Sequence, residues 1–217
     1  IKLACEFQER ELSGARVAVQ GFGAVGTHAA RFLAAEGAVI VAVADIRGTV
    51  SCADGLDVAK LLSLKALGGN VIDYPAGPGV VTGDAESSID VPCDIWIPAA
   101  RPDVIHEDNV DRLQASMVVS GANIALTAGA EQQLHALGVL CIPDFIANAG
   151  GVICAAMEYQ GASEAAAMQI IEEKISYNVR RVLDIVRKED CLPRQAAEDM
   201  ATRRVRRAMG LRRWSLF

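Results

Sequence analysis

Short apolar runs alternate with amphipathic stretches along the first two thirds of the chain. Strands that are covered on both faces lack polar alternation, so five almost wholly apolar runs are predicted as buried strands. They comprise Arg16–Gln20 and residues 38–44, 94–97, 115–119 and 139–142. Helices are predicted between them at residues 25–36, 57–67 and 129–137. This order of elements predicts an α/β fold with a doubly wound, parallel sheet of the Rossmann type.

The segment between the second and third predicted strands has a weaker pattern. Gly68 and Gly69 are predicted to end the preceding helix. Residues 70–73 are predicted as a short strand, and the stretch 74–84, which is rich in proline and glycine, is predicted as a loop.

After Asn148 the character of the sequence changes, and no further strand is predicted. Apolar residues recur every three or four positions from Met168 to Val186, which predicts a long amphipathic helix. Pro193 is predicted to interrupt it before a further helix at residues 194–209. The chain thus has a sheet-forming core at about residues 14–160 and extra C-terminal helices at about 164–209.

The loop after the first predicted strand has the spacing of a dinucleotide-binding turn. Gly21, Gly23 and Gly26 form the pattern Gly-x-Gly-x-x-Gly between a strand and a helix. In such turns the first glycine permits a tight bend, the second lets a pyrophosphate approach the backbone, and the third permits close helix–strand packing. Asp45 follows Gly26 by 19 residues, where an acidic side chain can bind a ribose. Glycine-rich turns also occur without a ligand, but the complete order of elements favours a nucleotide.

Small or polar residues follow the other predicted strands. Ligands of open parallel sheets bind beyond the carboxyl ends of the strands, where this chain has Ala99, Ala100, Asn123 and Asn148. Small side chains leave room for a flat ring, and the asparagines can bind ribose hydroxyls or a carboxamide. A single asparagine commonly caps a turn or helix, but the shared position of these two favours ligand binding.

Composition disfavours several other classes of function. With 27 acidic and 21 basic residues the net charge is −6, which disfavours a nucleic-acid partner; the arginines between residues 203 and 213 are predicted as a solvated helix face. No apolar run approaches the roughly 18 residues of a membrane span. Six scattered cysteines predict reduced thiols in a cytoplasmic protein, and three separated histidines predict no metal site.

Five segments carry motifs of one enzyme family. They are residues 17–26 (VAVQGFGAVG), 54–58 (DGLDV), 93–100 (CDIWIPAA), 121–123 (GAN) and 143–152 (PDFIANAGGV). Together they resemble the C-terminal coenzyme domain of the glutamate/leucine/phenylalanine/valine dehydrogenases, with the glutamate enzymes nearest. The resemblance extends over about residues 14–159.

The resemblance implies oxidative deamination of an L-amino acid to a 2-oxo acid, with NAD, or alternatively NADP, as hydride acceptor. It implies one dinucleotide-binding domain over residues 1–217 in a protein that forms a homo-oligomer. The implied cofactor residues lie along one cleft. The pyrophosphate site would be lined by Gly21, Phe22, Gly23, Ala24 and Val25. Asp45 and Ile46 would border the adenosine ribose, and Ala99 and Ala100 would line the cofactor cleft. Asn123 and Asn148 would lie near the nicotinamide end.

Three departures from the family pattern bear on function. No segment matches the family's N-terminal substrate domain, with its Gly-Gly-x-Lys-Gly-Gly motif and catalytic lysine and aspartate. Catalytic residues are therefore expected outside this chain, and residues 1–11 are expected to end a longer helix. Lys65 precedes Gly68-Gly69 without a second lysine and is predicted as part of a helix end. On the substrate side, Ala155 replaces the serine that is usual in glutamate enzymes, and residues 124–127 (IALT) replace Gly-Pro-Thr-Thr.

Two other functions remain open at this point. A stand-alone nucleotide-binding or regulatory module needs no catalytic residues in the chain. A hydroxy-acid dehydrogenase fits the glycine pattern, but it explains neither residues 148–151 (NAGG) nor the lack of a catalytic histidine.

Overall fold

A computed structural model describes residues 1–211 of the chain, so Arg212 and Arg213 of the basic run lie outside the described residues. Its centre is a seven-stranded sheet with the strand order β4-β3-β2-β1-β5-β6-β7. The strands are β1 (Arg16–Gln20), β2 (Val39–Asp45), β3 (Gly48–Cys52), β4 (Val80–Gly83), β5 (Ile95–Pro98), β6 (Met117–Val119) and β7 (Leu140–Ile142).

Five of these strands run parallel. β1 lies at the centre and pairs with β2 on one side and β5 on the other, and β6 and β7 continue the sheet beyond β5. The strand order reverses between β1 and β5, and ligands of open α/β sheets bind at such a switch point. The five predicted strands and the doubly wound α/β fold are thus confirmed.

The edge of the sheet beyond β2 differs from the prediction. β3 follows β2 through a two-residue turn at Ile46 and Arg47 and pairs with it antiparallel, and β4 pairs antiparallel with β3. The predicted strand at 70–73 is wrong, because a 3₁₀ turn (Val71–Asp73) forms there. The predicted loop at 74–84 contains β4, whose residues are mostly exposed. Backbone pairing with β3, rather than an apolar pattern, makes this segment a strand.

Helices cover both faces of the sheet. They are α1 (Lys2–Phe7), α2 (Ala24–Ala35), α3 (Val58–Ala66), α4 (Ala128–Ala136), α5 (Asp144–Ala147), α6 (Gly150–Tyr159), α7 (Glu164–Glu189) and α8 (Pro193–Leu211), with 3₁₀ turns also at Ser87–Asp90 and Val110–Arg112. The predicted helices are confirmed within a few residues, whereas α5 and α6 were not predicted.

Alternate residues of the central strand face two separate core layers. Val17 and Val19 of β1 pack with residues of α1, α2, α3, α7 and α8, whereas Ala18 packs on the opposite face with Trp96 and residues of α4. All three β1 residues are fully buried. This alternation is the pattern of a strand between two layers, and it positions the end of β1 at the middle of the molecule.

The last two helices meet at the predicted break. α7 ends at Glu189, and Asp190 adopts a left-handed conformation with φ of 48°. α8 begins at Pro193, where a missing N–H costs nothing because the first helical N–H groups have no partner within the helix. α8 then packs against β7, so its first turn lies near the carboxyl end of the sheet.

Candidate functional site

The turn after β1 is built around Gly21. Its φ of +102° lies in the left-handed region, which disfavours other residues. A Cβ atom added to Gly21 would lie 2.7 Å from the Cβ and 2.8 Å from the backbone nitrogen of Ala100. The loops after β1 and β5 therefore approach each other at the switch point as closely as a glycine permits.

The start of α2 is open to a ligand. Gly23 is its N-cap, and no side chain caps this end. The first backbone N–H of α2 that makes a helical hydrogen bond is that of Thr27, which donates to the Gly23 carbonyl at 2.9 Å. The N–H groups of the three residues before it make no hydrogen bond within the described residues. Uncapped N–H groups and the positive end of the helix dipole together form an anion site.

Gly23 and Gly26 have opposite surroundings, as their predicted tasks require. A Cβ atom added to Gly23 would meet nothing within 4 Å, whereas one added to Gly26 would overlap the Gly21 carbonyl. Gly26 therefore allows α2 to pack on the turn, and Gly23 leaves space beside it. The Phe22 side chain is buried in the core, so only its backbone can face a ligand.

A cleft of about 690 Å³ extends from this turn across the ends of β2 and β5. We call it the main cleft. Seven of the predicted cofactor residues line it: Gly21, Phe22, Gly23, Asp45, Ile46, Ala99 and Ala100. Further residues that line it were not predicted, among them Gln20, Lys65, Trp96 and Arg101. Ala24 and Val25 lie just outside it, at the exposed start of α2.

The Asp45 carboxylate is held firmly at the edge of the main cleft. It accepts hydrogen bonds from the N–H of Arg47 and the N–H of Val71, both at 2.9 Å, and from Lys65 Nζ at 3.2 Å. Burial alone would raise the pKa of Asp45, but these three donors outweigh burial and lower it. The side chain is only 8% exposed. Asp45 is thus ionised and fixed in orientation.

Lys65 has a contact that its sequence position does not indicate. It was predicted as part of an ordinary helix end, and this is confirmed, because it lies in the last turn of α3. Its ammonium group, however, reaches the Asp45 carboxylate and lines the main cleft. No sequence signal indicated this, because the two residues meet only when α3 packs beside the end of β2.

The two asparagines form a pair away from the lining of the main cleft. Asn148 Nδ2 donates a hydrogen bond to Asn123 Oδ1 at 2.6 Å. A Cβ atom added to Gly121, in the same loop as Asn123, would lie 3.0 Å from Val25 Cγ1 and 3.4 Å from Ala99 Cβ. The asparagine pair therefore adjoins the far side of the glycine turn. Within residues 1–211, Asn123 Nδ2 and Asn148 Oδ1 make no hydrogen bond, so they remain as a donor group and an acceptor.

Helix α6 continues from this pair and is solvent-exposed. None of its residues is buried, and Ala155 is exposed on it. Within residues 1–211, no three His, Cys, Asp or Glu side chains come together as a potential metal site. Over the same range, no helix has the length and apolar character to cross a membrane.

Comparison with known proteins decides the family. The model of the Glutamate/Leucine/Phenylalanine/Valine dehydrogenases matches residues 2–213. The chain belongs to this family. The resemblance seen in the sequence motifs is therefore confirmed.

Relatives in this dehydrogenase family share substantial sequence with the chain. A glutamate dehydrogenase of Aeropyrum pernix is 39% identical over 213 residues, which covers 94% of this chain and 50% of the relative. An NADP-specific glutamate dehydrogenase of Saccharolobus shibatae is 43% identical over 148 residues, covering 68% of this chain and 34% of the relative. The chain thus spans half or less of the length of these relatives. An NAD-specific glutamate dehydrogenase of Halobacterium salinarum is 39% identical over 158 residues, covering 73% of this chain and 35% of the relative.

Solved structures agree on the fold. The hetero-hexameric glutamate dehydrogenase of Thermus thermophilus, in a leucine-bound form, superposes with a TM-score of 0.83 at 27% identity. The superposition covers 99% of this chain and 51% of that one.

Ile124 departs from the family's usual glycine yet keeps a backbone that suits glycine. Its φ is +52°, in the left-handed region, and its side chain is mostly exposed. A β-branched residue in this region is a strained outlier. The strain lies directly beside Asn123, and strained residues cluster at functional sites.

The strain gives a stability prediction. We expect the free energy of unfolding of Ile124→Gly to be about 1 kcal/mol higher than that of Ile124→Ala. Alanine keeps the energetic cost of the left-handed backbone, whereas glycine does not. Both variants lose the isoleucine side chain, so the comparison isolates the backbone. Urea denaturation of the two variants measures the difference. An alanine variant as stable as the glycine variant would contradict the left-handed conformation.

Proposed function

We propose that this chain is the NAD(P)-binding domain of an amino-acid dehydrogenase that converts an L-amino acid to a 2-oxo acid by oxidative deamination. The uncapped start of α2, open beside Gly23 at the switch point of the sheet, carries this proposal. Three free N–H groups and an empty volume next to a glycine match the needs of a pyrophosphate.

The bound coenzyme would extend along the sheet ends from this turn. Its adenosine would lie in the main cleft, with the ribose beside Asp45 and Ile46 and the backbone of Ala99 and Ala100 on the other side. Its nicotinamide would reach the asparagine pair, where one free donor and one free acceptor match a carboxamide. The coenzyme supplies the hydride acceptor, and this chain binds and orients it.

The substrate and the assembly of the whole protein are also part of the proposal. The amino-acid substrate would bind beside the exposed α6, near Ala155, with its carboxylate held by residues outside this chain. A homo-oligomer is proposed because the family resemblance implies one; the similar solved structure from Thermus thermophilus supports an oligomer more generally, since it is a hetero-hexamer. The six free cysteines support a cytoplasmic location. Burial raises the pKa of the Cys93 thiol to about 12, so this thiol is unreactive.

Binding of NADH to the 217-residue chain tests the proposal directly. We expect saturable, one-site binding in titration calorimetry, with ADP-ribose competing for the same site. A folded chain that binds neither molecule would overturn the proposal.

We expect this chain alone to show no turnover. The resemblance assigns the general acid/base groups to a segment for which the chain has no matching motif, so bound NAD would have no partner for proton transfer. NADH formation at 340 nm with a panel of L-amino acids measures this. Sustained turnover by the pure chain would contradict this expectation. Amino-acid dehydrogenase activity of a longer protein that contains this chain would exclude the alternative, a stand-alone regulatory module.

A further inference from the structure

A buried cluster of charges joins the start of α8 to the carboxyl end of the sheet. Arg194, in the first turn of α8, donates to Glu131 of α4 through Nε at 2.5 Å and Nη2 at 2.8 Å. Nη2 also donates to the Asp144 carboxylate at 3.0 Å. The side chains of Glu131 and Asp144 are only 7% and 9% exposed. One guanidinium thus serves two buried carboxylates, and it holds Glu131 in a bidentate geometry that a lysine ammonium does not provide.

Asp144 connects this cluster to the asparagine pair by two routes. Its second carboxylate oxygen accepts a hydrogen bond from the N–H of Ile124 at 2.7 Å. Its backbone carbonyl accepts one from the N–H of Asn148, also at 2.7 Å. The side chain therefore holds the residue after Asn123, and the backbone holds Asn148. The hydrogen bond between the two asparagine side chains closes the ring.

The strain at Ile124 indicates that the hydrogen bond from its N–H to the Asp144 carboxylate holds the backbone beside Asn123 in position. A left-handed, β-branched residue persists only where its surroundings fix it, and the Asp144 carboxylate is the group that accepts its N–H. Burial would raise the pKa of Asp144, but hydrogen bonds from Ile124 and Arg194 lower it, so the carboxylate is charged at neutral pH. Its bond to the strained N–H is accordingly a charge-assisted one.

We propose that Arg194 is a positioning residue for the nicotinamide end of the coenzyme site, acting through Asp144 to hold Asn123 and Asn148 in register. The inference rests on the proposed coenzyme binding. Arg194 itself lines neither the main cleft nor the turn at Gly23. Its effect is therefore confined to the part of the coenzyme that reaches the asparagines.

Two ligands separate positioning from simple stabilisation. NADH carries the nicotinamide, whereas ADP-ribose contains the same adenosine and pyrophosphate without it. We expect Arg194→Lys to weaken NADH binding roughly tenfold, a loss of about 1.4 kcal/mol, and to leave ADP-ribose affinity within twofold. Calorimetric titration of the 217-residue chain with each ligand measures both. Arg10→Lys, at the opposite end of the strands beside Asp94, is the matched control and should change neither affinity.

A double-mutant cycle tests whether Arg194 acts on coenzyme binding through Asn123. Once Asn123 has been replaced by alanine, Arg194→Lys should cause no further loss of NADH affinity, because the group that it positions is gone. If Arg194→Lys does not fold, Asp144→Asn takes its place, since asparagine keeps an acceptor for the Ile124 N–H while removing the charge. We expect the same selective loss of NADH affinity from that variant.

The outcomes are distinct for the two proposals. Selective loss of NADH affinity that vanishes in the Asn123→Ala background supports the inference. An equal loss for both ligands, or unchanged NADH affinity in a folded variant, overturns it while coenzyme binding stands. A parent chain that binds neither ligand overturns the proposed function, and the positioning inference falls with it.

Discussion

Gly23→Val is expected to abolish coenzyme binding while leaving the fold intact. The added side chain would meet no protein atom at its Cβ, and the backbone of Gly23 is extended, with a negative φ of −93°. The same side chain would fill the space that a pyrophosphate needs beside the start of α2. We expect NADH affinity to fall roughly 100-fold or more, equivalent to about 2.7 kcal/mol or above.

The control for this variant is Gly77→Val. Gly77 lies in an exposed loop before β4, where an added Cβ would make only an ordinary contact with Val80 at 3.8 Å. Gly77→Val should bind NADH as tightly as the parent chain does. Titration calorimetry gives the affinities, and circular dichroism with thermal melting shows that each variant is folded. Normal NADH affinity in folded Gly23→Val would mean that the turn does not hold the pyrophosphate.

The second large effect is expected at Asp45. We expect the parent chain to bind NADH more tightly than NADPH, because the fixed Asp45 carboxylate accepts hydrogen bonds from a ribose 2′-hydroxyl and repels a 2′-phosphate. Asp45→Asn removes the charge and keeps one oxygen, which can accept from the N–H of Arg47 or from that of Val71 but not from both. It should shift the ratio of the two affinities toward NADPH roughly tenfold. Paired titrations with NADH and NADPH measure this ratio.

Lys65 gives the converse test. With Asp45 neutralised, its ammonium group is free to attract a 2′-phosphate, so adding Lys65→Met to Asp45→Asn should reverse most of the gain for NADPH. Asp57→Asn removes the same charge at the N-cap of α3, where asparagine also caps well, and should leave the ratio unchanged. An unmoved ratio in Asp45→Asn, or a parent that prefers NADPH, would show that Asp45 does not select the coenzyme.

Local pattern was sufficient for the parallel part of the fold. The strands β1, β2, β5, β6 and β7 are apolar because helices cover both their faces, and that requirement is visible in the sequence itself. The glycine turn could be predicted for a similar reason. Gly21 needs a left-handed backbone and Gly26 a close contact, and both demands act within a few residues of the chain.

The antiparallel strands at the edge of the sheet, and the contacts between residues of distant segments, could not be predicted in this way. β4 has only four residues, mostly exposed, and forms a strand by pairing with β3. Lys65 reaches Asp45 only because α3 packs beside the end of β2. These contacts depend on how whole elements dock.

The sequence by itself determined the parallel core, the position of the glycine turn and the family, because short-range backbone demands and motif order are written in neighbouring residues. The tertiary structure decided which charges lie beside the proposed site. Arg194 lies 50 residues beyond Asp144 and 63 beyond Glu131, and neither spacing carries a local signal. Ion pairs between separate elements form where packing brings their ends together and excludes water. The support of the asparagine pair is therefore a property of the fold as a whole.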